Sequence, residues 1–136
     1  RNRSRDLGGS VSFESVRPAD ELATYYEWAD TALVHLADWE PLERTVPSKV
    51  YELLDSRIHV SAVVEGETAK LVAGLNAGDV VAPDNPQALA ELWTKLAKDR
   101  SRLATSGAGR AWVKHQREEV VPKTLVELLS TVKGAK

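Results

Sequence analysis

The sequence predicts an α/β fold built on a parallel sheet, and three observations predict it. Short apolar runs alternate with stretches of helical periodicity four times between Ser10 and Pro83, as strands joined by crossover helices do. The runs are rich in Val, Ile and Leu, the composition of strands covered on both faces. From Asp84 onward the apolar residues keep helical spacing only.

The elements follow in order. Ser10–Ser15 (SVSFES) alternates and is preceded by Gly8-Gly9, which predicts a short first strand. Pro18 and Asp20 then open a helix, with Asp20 as N-cap and Leu22, Tyr25, Tyr26 and Ala29 on its apolar side. Thr31–Leu36 (TALVHL) is a second run of strand length. After the loop ADWEPLERTV, a helix is expected from Pro47 to about Ser56. Ile58–Val64 (IHVSAVV) is the third strand. EGETAKLVAGLNAG holds a short helix ending near Asn76 to Gly78, and Asp79–Pro83 is a brief fourth strand. Asp84 or Asn85 caps the next helix and Pro86 takes its first position. Ala88, Leu89, Leu92, Trp93 and Leu96 form its apolar side. A second tail helix carries Leu103, Gly107, Ala108, Ala111 and Trp112. A third carries Val121, Leu125, Leu128, Leu129 and Val132. Residues 1–136 therefore read as one Rossmann-like α/β domain, with residues 84–136 as its helical tail.

Composition narrows the functions. The chain has 136 residues, 43% apolar and 28% charged, with a formal charge of −2. The basic residues are dispersed, so a nucleic-acid partner is not expected. Without cysteine there is no disulfide, thiolate zinc site or cysteine nucleophile. His35, His59 and His115 lack metal-ligand spacing, so no metal is expected. No apolar run approaches the ~18 residues of a membrane span, and a cytoplasmic setting is the expectation. The sequence holds no methionine, even at position 1, and RNRSRDLGGS reads as the tail of an earlier element. A longer parent chain is expected.

The chemistry concentrates in TVPSKVYELL, Thr45 to Leu54. A helix following a strand of a parallel sheet begins at the carboxyl edge, where such folds bind ligands. Its first turn carries unpaired N–H groups and the positive end of the helix dipole, which favours anions and phosphate in particular. Pro47 removes an N–H the helix does not need. The amides of Ser48 and Lys49 stay free for phosphate oxygens, and the Ser48 hydroxyl and Lys49 ammonium add charge-assisted contacts. Glu52, one turn deeper, suits the hydroxyl pair of a ribose. The same residues have a plainer reading: Ser48 as a cap residue, and Lys49 with Glu52 as an exposed ion pair worth a few tenths of a kcal/mol.

The order of segments is more specific than any one of them. VSFESV, ELATYYEWADTALVHL, TVPSKVYELL and GETAKLVAGLNAGDVVAPDNPQALAELWTKLAKDRSRLATSGAGRAWV together resemble the C-terminal half of GT-B glycosyltransferases of the retaining, family-four type, in the branch with a PSK-x-x-E helix. The resemblance spans nearly the whole chain. It implies the last four βα units of a donor-binding domain and a sugar transferred from UDP-sugar or GDP-sugar to an acceptor hydroxyl with retention. By this resemblance, Glu52 binds the ribose hydroxyls, Pro47, Ser48 and Lys49 face the diphosphate, and Ser15 to Arg17, with Val16 and Arg17 foremost, lie near the base. The acceptor, a glycan or lipid-linked molecule, would be held by an N-terminal domain outside this chain. The parent enzyme is expected in the cytoplasm, with the inner face of the membrane as the alternative setting. Alone, the chain is expected to bind a nucleotide diphosphate weakly and to catalyse nothing. In a sheet ordered 3-2-1-4-5-6 it would supply strands 3 to 6. The Phe13 strand would then re-pair, lie loose, or be exchanged with another copy to give a homo-oligomer. The chain departs from the family where Arg44 stands eight residues before Glu52 in place of a first glutamate. It departs again where Arg57 and His59 replace the usual Gly and Pro.

Two alternatives are a non-catalytic Rossmann-like nucleotide-binding or regulatory module and a receiver-type domain. The latter requires an acidic cluster at the strand ends that the sequence lacks. Among other residues, Trp93 and Trp112 are expected in the core and Tyr25-Tyr26 over the sheet. His35 is expected as a satisfied core histidine, Glu67 as a helix cap, and Arg110 with Lys114 as exposed. Trp39 is a loop anchor or a pocket wall.

Overall fold

The computed structural model describes residues 10–133. The opening RNRSRDLGGS falls outside this range up to residue 9, and the Val132 side chain is also outside the described residues. Three strands form one parallel sheet in the order β1 (Thr31–His35), β2 (His59–Val63), β3 (Gly78–Val81). Thr31 is opposite His59, and Val60 is opposite Gly78. This is a partial Rossmann-like unit followed by helices.

The expected first strand does not form. Residues 10–18 are coil, with Phe13 76% and Val16 fully exposed. A strand needs a neighbour to take its backbone N–H and C=O groups. Here β2 lies between β1 and β3, and SVSFES has no partner strand. Of the three outcomes open to it, it lies loose, and the sheet has three strands.

Helix α1 (Ala19–Trp28) precedes β1. Its N-cap is Pro18, not Asp20; Asp20 lies in the first turn, where its charge favours the helix dipole. A single turn, α2 (Glu40–Glu43), follows β1 and leads to α3 (Ser48–Ser56). Val50, Leu53 and Leu54 of α3 are at most 2% exposed, because i, i+3, i+4 spacing sets them on one face. They pack with Val34, Val60, Ala62, Val64 and Val72 in the main core. Helix α4 (Gly66–Gly74) contributes Val72 and connects β2 to β3. All five β2 residues are buried, as a central strand requires.

Helix α5 (Pro86–Lys98) is capped by Asn85, whose Oδ1 accepts from the Ala88 amide at 3.0 Å. It covers the other sheet face with Leu92 and Leu96, while Leu33 on β1 stays 47% exposed. The expected helix through Leu103 and Trp112 is broken. Arg100–Leu103 is a 3-10 turn, and Gly107 at φ 75° restarts the chain as α6 (Ala108–His115). Glycine alone takes that left-handed position at no steric cost. A π turn at Gln116–Val120 joins α6 to α7 (Val121–Lys133). Trp112 stacks on Tyr51 at 5.9 Å and 11°, tying α6 to α3.

Candidate functional site

Helix α3 starts where expected. Pro47 is its N-cap residue rather than its first helical residue, and Val50 N–H donates to the Pro47 carbonyl at 2.9 Å. The amides of Ser48 and Lys49 precede that first bond. The Ser48 side chain makes no cap bond and is exposed. The loop feeding this turn is pinned from below. Thr68, fully buried on α4, donates its hydroxyl to the Thr45 carbonyl at 2.7 Å. Gly66, at φ 65°, lies so close to α2 that a Cβ would fall 2.0 Å from the Glu43 carbonyl oxygen.

Lys49 and Glu52 are brought together, and a third residue joins them. The Lys49 ammonium donates to Glu52 Oε2 at 3.1 Å. The Tyr26 hydroxyl of α1 donates to Glu52 Oε1 at 2.7 Å and accepts from the Lys49 ammonium. The side chains of Lys49 and Glu52 are 48% and 42% exposed. The bond from the Tyr26 hydroxyl above all holds the Glu52 carboxyl below its ordinary value; burial opposes it, and Lys49 adds to the lowering. Burial favours a neutral Lys49, but its bonds to Tyr26 and Glu52 prevail and raise its pKa. Burial likewise raises the Tyr26 phenol, opposed by Lys49. The cluster is therefore a phenol, an ammonium and a carboxylate at neutral pH.

The other expected site residues are not gathered. Arg17 pairs with Glu14 at 3.1 Å and Glu21 at 3.4 Å and lies over the Tyr25 ring. Val16 contacts solvent. Neither makes a polar contact with Lys49 or Glu52, because the strand meant to present them is absent. Clefts of about 380 and 390 Å³ lie beside α1, not at the α3 mouth. Ala23, Tyr26, Glu27, Asp55, Ser56 and Arg110 line the first, and Tyr26 reaches both.

A second polar cluster crosses the sheet toward its amino edge. His59, 3% exposed, faces Thr31 Oγ1 through Nδ1 at 2.8 Å and Asp79 Oδ2 through Nε2 at 3.2 Å. Thr31 meets Ser61 Oγ at 2.8 Å, and the Trp93 indole N–H donates to Ser61 at 3.1 Å. Asp79 also pairs with Arg102. Every buried side-chain polar atom among the described residues has a partner. Burial lowers the His59 pKa, and Asp79 opposes it. The cluster is closed on itself and reads as structural.

Several single-residue expectations are corrected. His35 is exposed and His59 is the core histidine, because the strand face carrying His35 extends past the cover of α5. Glu67 does not cap α4; it pairs with Lys70 at 2.8 Å. Tyr26 packs its ring against the main core and in addition binds Glu52 through its hydroxyl, whereas Tyr25 is exposed under Arg17. Trp93 is 43% exposed, because only its indole N–H side reaches inward. Arg110 and Lys114 are exposed as expected, with Arg110 3.6 Å from Asp55. Trp39 is 62% exposed and N-caps α2. Tyr26 is the residue the sequence reading missed. The one available signal was that a tyrosine on a packed helix face needs a partner for its hydroxyl.

Fold and site together define an α/β protein of partial Rossmann-like architecture, with a Tyr-Lys-Glu cluster between α1 and the first turns of α3. Among the described residues no three His, Asp or Glu side chains converge as metal ligands, and no helix is long and apolar enough to cross a membrane. No family profile, curated protein or solved structure matches the chain.

Proposed function

We propose that this chain is the donor-binding domain of a retaining GT-B glycosyltransferase and takes the nucleoside diphosphate part of a UDP-sugar or GDP-sugar. The observation that carries the reading is the first turn of α3. It follows β1 in a parallel sheet, leaves its leading amides and Ser48 open, and holds Lys49 and Glu52 3.1 Å apart one turn in. Diphosphate oxygens take the Ser48 and Lys49 amides, with the Ser48 hydroxyl and Lys49 ammonium adding contacts. The ribose hydroxyls donate to Glu52. In a complete enzyme these groups stabilise the departing diphosphate, and the acceptor is held by a further domain.

A second reading, a non-catalytic nucleotide-binding module, is favoured by Arg44. It stands where the motif's first glutamate would face the transferred sugar, and it lies exposed beside Glu40 at 3.7 Å. Titration calorimetry with UDP and GDP, on the parent and on Glu52→Ala, tests the shared core of both readings. The expected result is weak binding by the parent and a loss of about tenfold in the variant. Equal affinity in the two would remove Glu52 from the site.

A further inference from the structure

We infer that Tyr26 is a positioning residue that aims the Glu52 carboxylate at a vicinal diol, making the site selective for ribonucleoside over 2′-deoxyribonucleoside diphosphates. The inference rests on the reading of α3 as a nucleoside diphosphate site.

A lone glutamate on a helix surface samples several rotamers. Glu52 does not have that freedom. Oε1 accepts from the Tyr26 hydroxyl at 2.7 Å, and Oε2 accepts from Lys49 at 3.1 Å. Lys49 in turn donates to Tyr26, closing a ring of three groups. The two contacts fix both oxygens and so the plane of the carboxylate. A carboxylate has about four acceptor positions, and the chain fills one on each oxygen. One position on each oxygen remains, and the side chain is 42% exposed. Two adjacent free acceptors match two adjacent hydroxyl donors.

The third corner comes from outside α3. Tyr26 lies on α1, 26 residues before Glu52, and its ring packs against the main core. The phenol is thus anchored by its apolar body while its hydroxyl holds the acid. Lys49 alone is a poor guide for Glu52, since both sit on the exposed flank of one helix and such i,i+3 pairs are weak.

Removing the second ribose hydroxyl leaves one of the two aimed acceptors unused, and the affinity ratio reports how well the acid is aimed. Tyr26→Phe removes only the hydroxyl and keeps the ring. UDP, GDP and their 2′-deoxy forms are titrated into the chain and into Tyr26→Phe. The parent is expected to prefer the ribo form about tenfold, as one well-placed hydrogen bond to a charged group allows. Tyr26→Phe is expected to reduce that preference to about two- to threefold, with little change for the deoxy forms. An undiminished preference in the variant overturns the role of Tyr26. A parent that binds none of the four nucleotides overturns the reading of the site, and the selectivity inference with it. A second measurement separates these failures. Carbon NMR titration of the Glu52 carboxyl in the ligand-free chain is expected to show a higher pKa in Tyr26→Phe than in the parent. An unchanged value overturns the positioning contact whatever the nucleotides do.

Discussion

Gly66 offers the sharpest test of how the fold holds the α3 mouth. It is the first residue of α4, at φ 65°, with the α2 backbone against its Cα. In Gly66→Ala the new Cβ would lie 2.0 Å from the Glu43 carbonyl oxygen and 2.5 Å from its carbon. Both are backbone atoms, so no side chain can swing away. The left-handed backbone costs an alanine about 1–2 kcal/mol. Pushing α2 off its seat adds about 1–3 kcal/mol, the usual range for overpacking. The expected loss is thus about 2–5 kcal/mol. Gly74 at the other end of α4 is the matched control, since a Cβ there meets nothing within 4 Å. Gly74→Ala should be neutral or stabilise by up to about 1 kcal/mol, from the higher helix propensity of alanine. Urea unfolding followed by circular dichroism measures both, with equal m-values as the condition for comparing midpoints. A Gly66→Ala midpoint within error of the parent, or equal losses in the two variants, would refute the close-approach argument.

Three further outcomes are expected. Arg57 ends α3 at φ 58°, so Arg57→Gly should raise stability by about 0.5–1 kcal/mol as the strain of a left-handed side chain exceeds the entropy glycine loses on folding. Urea midpoints check it. Thr68→Val removes the 2.7 Å bond from the buried Thr68 hydroxyl to the Thr45 carbonyl, a loss of about 0.5–1.5 kcal/mol by the same assay. His59 has its pKa lowered, by burial first, from the usual 6.5, so the unfolded chain binds its proton more readily. The corresponding stability is complete above pH 6.5 and is lost as the pH falls through the depressed folded value. Asp79 opposes the shift, so Asp79→Asn should lower the His59 pKa further, which imidazole NMR titration reads directly.

The legible parts of the sequence were those that local chemistry decides. IHVSAVV and TALVHL are apolar runs of strand length between helical stretches, and they became adjacent parallel strands. Asn85-Pro86 is a cap followed by a first helical residue, a local signal that the Ala88 bond bears out. SVSFES shows the opposite case. Its alternation is real, but a strand exists only with a neighbour, and pairing is not a local property. The break at Gly107 was missed because the apolar spacing runs through it while the backbone turns left-handed. At the site, the start of α3 and the pairing of Lys49 with Glu52 followed from proline position and i,i+3 geometry. Tyr26 did not, because its partner is 26 residues away and only the packing of α1 on α3 joins them.

The central claim is that the first turn of α3 receives a nucleoside diphosphate. Amide NMR spectra of the labelled chain, recorded as UDP or GDP is added, test it most directly. The account predicts saturating shifts centred on Ser48, Lys49 and Glu52. Shifts centred on the cleft at Ala23, Asp55 and Arg110, or no saturating shift with either nucleotide, would contradict it.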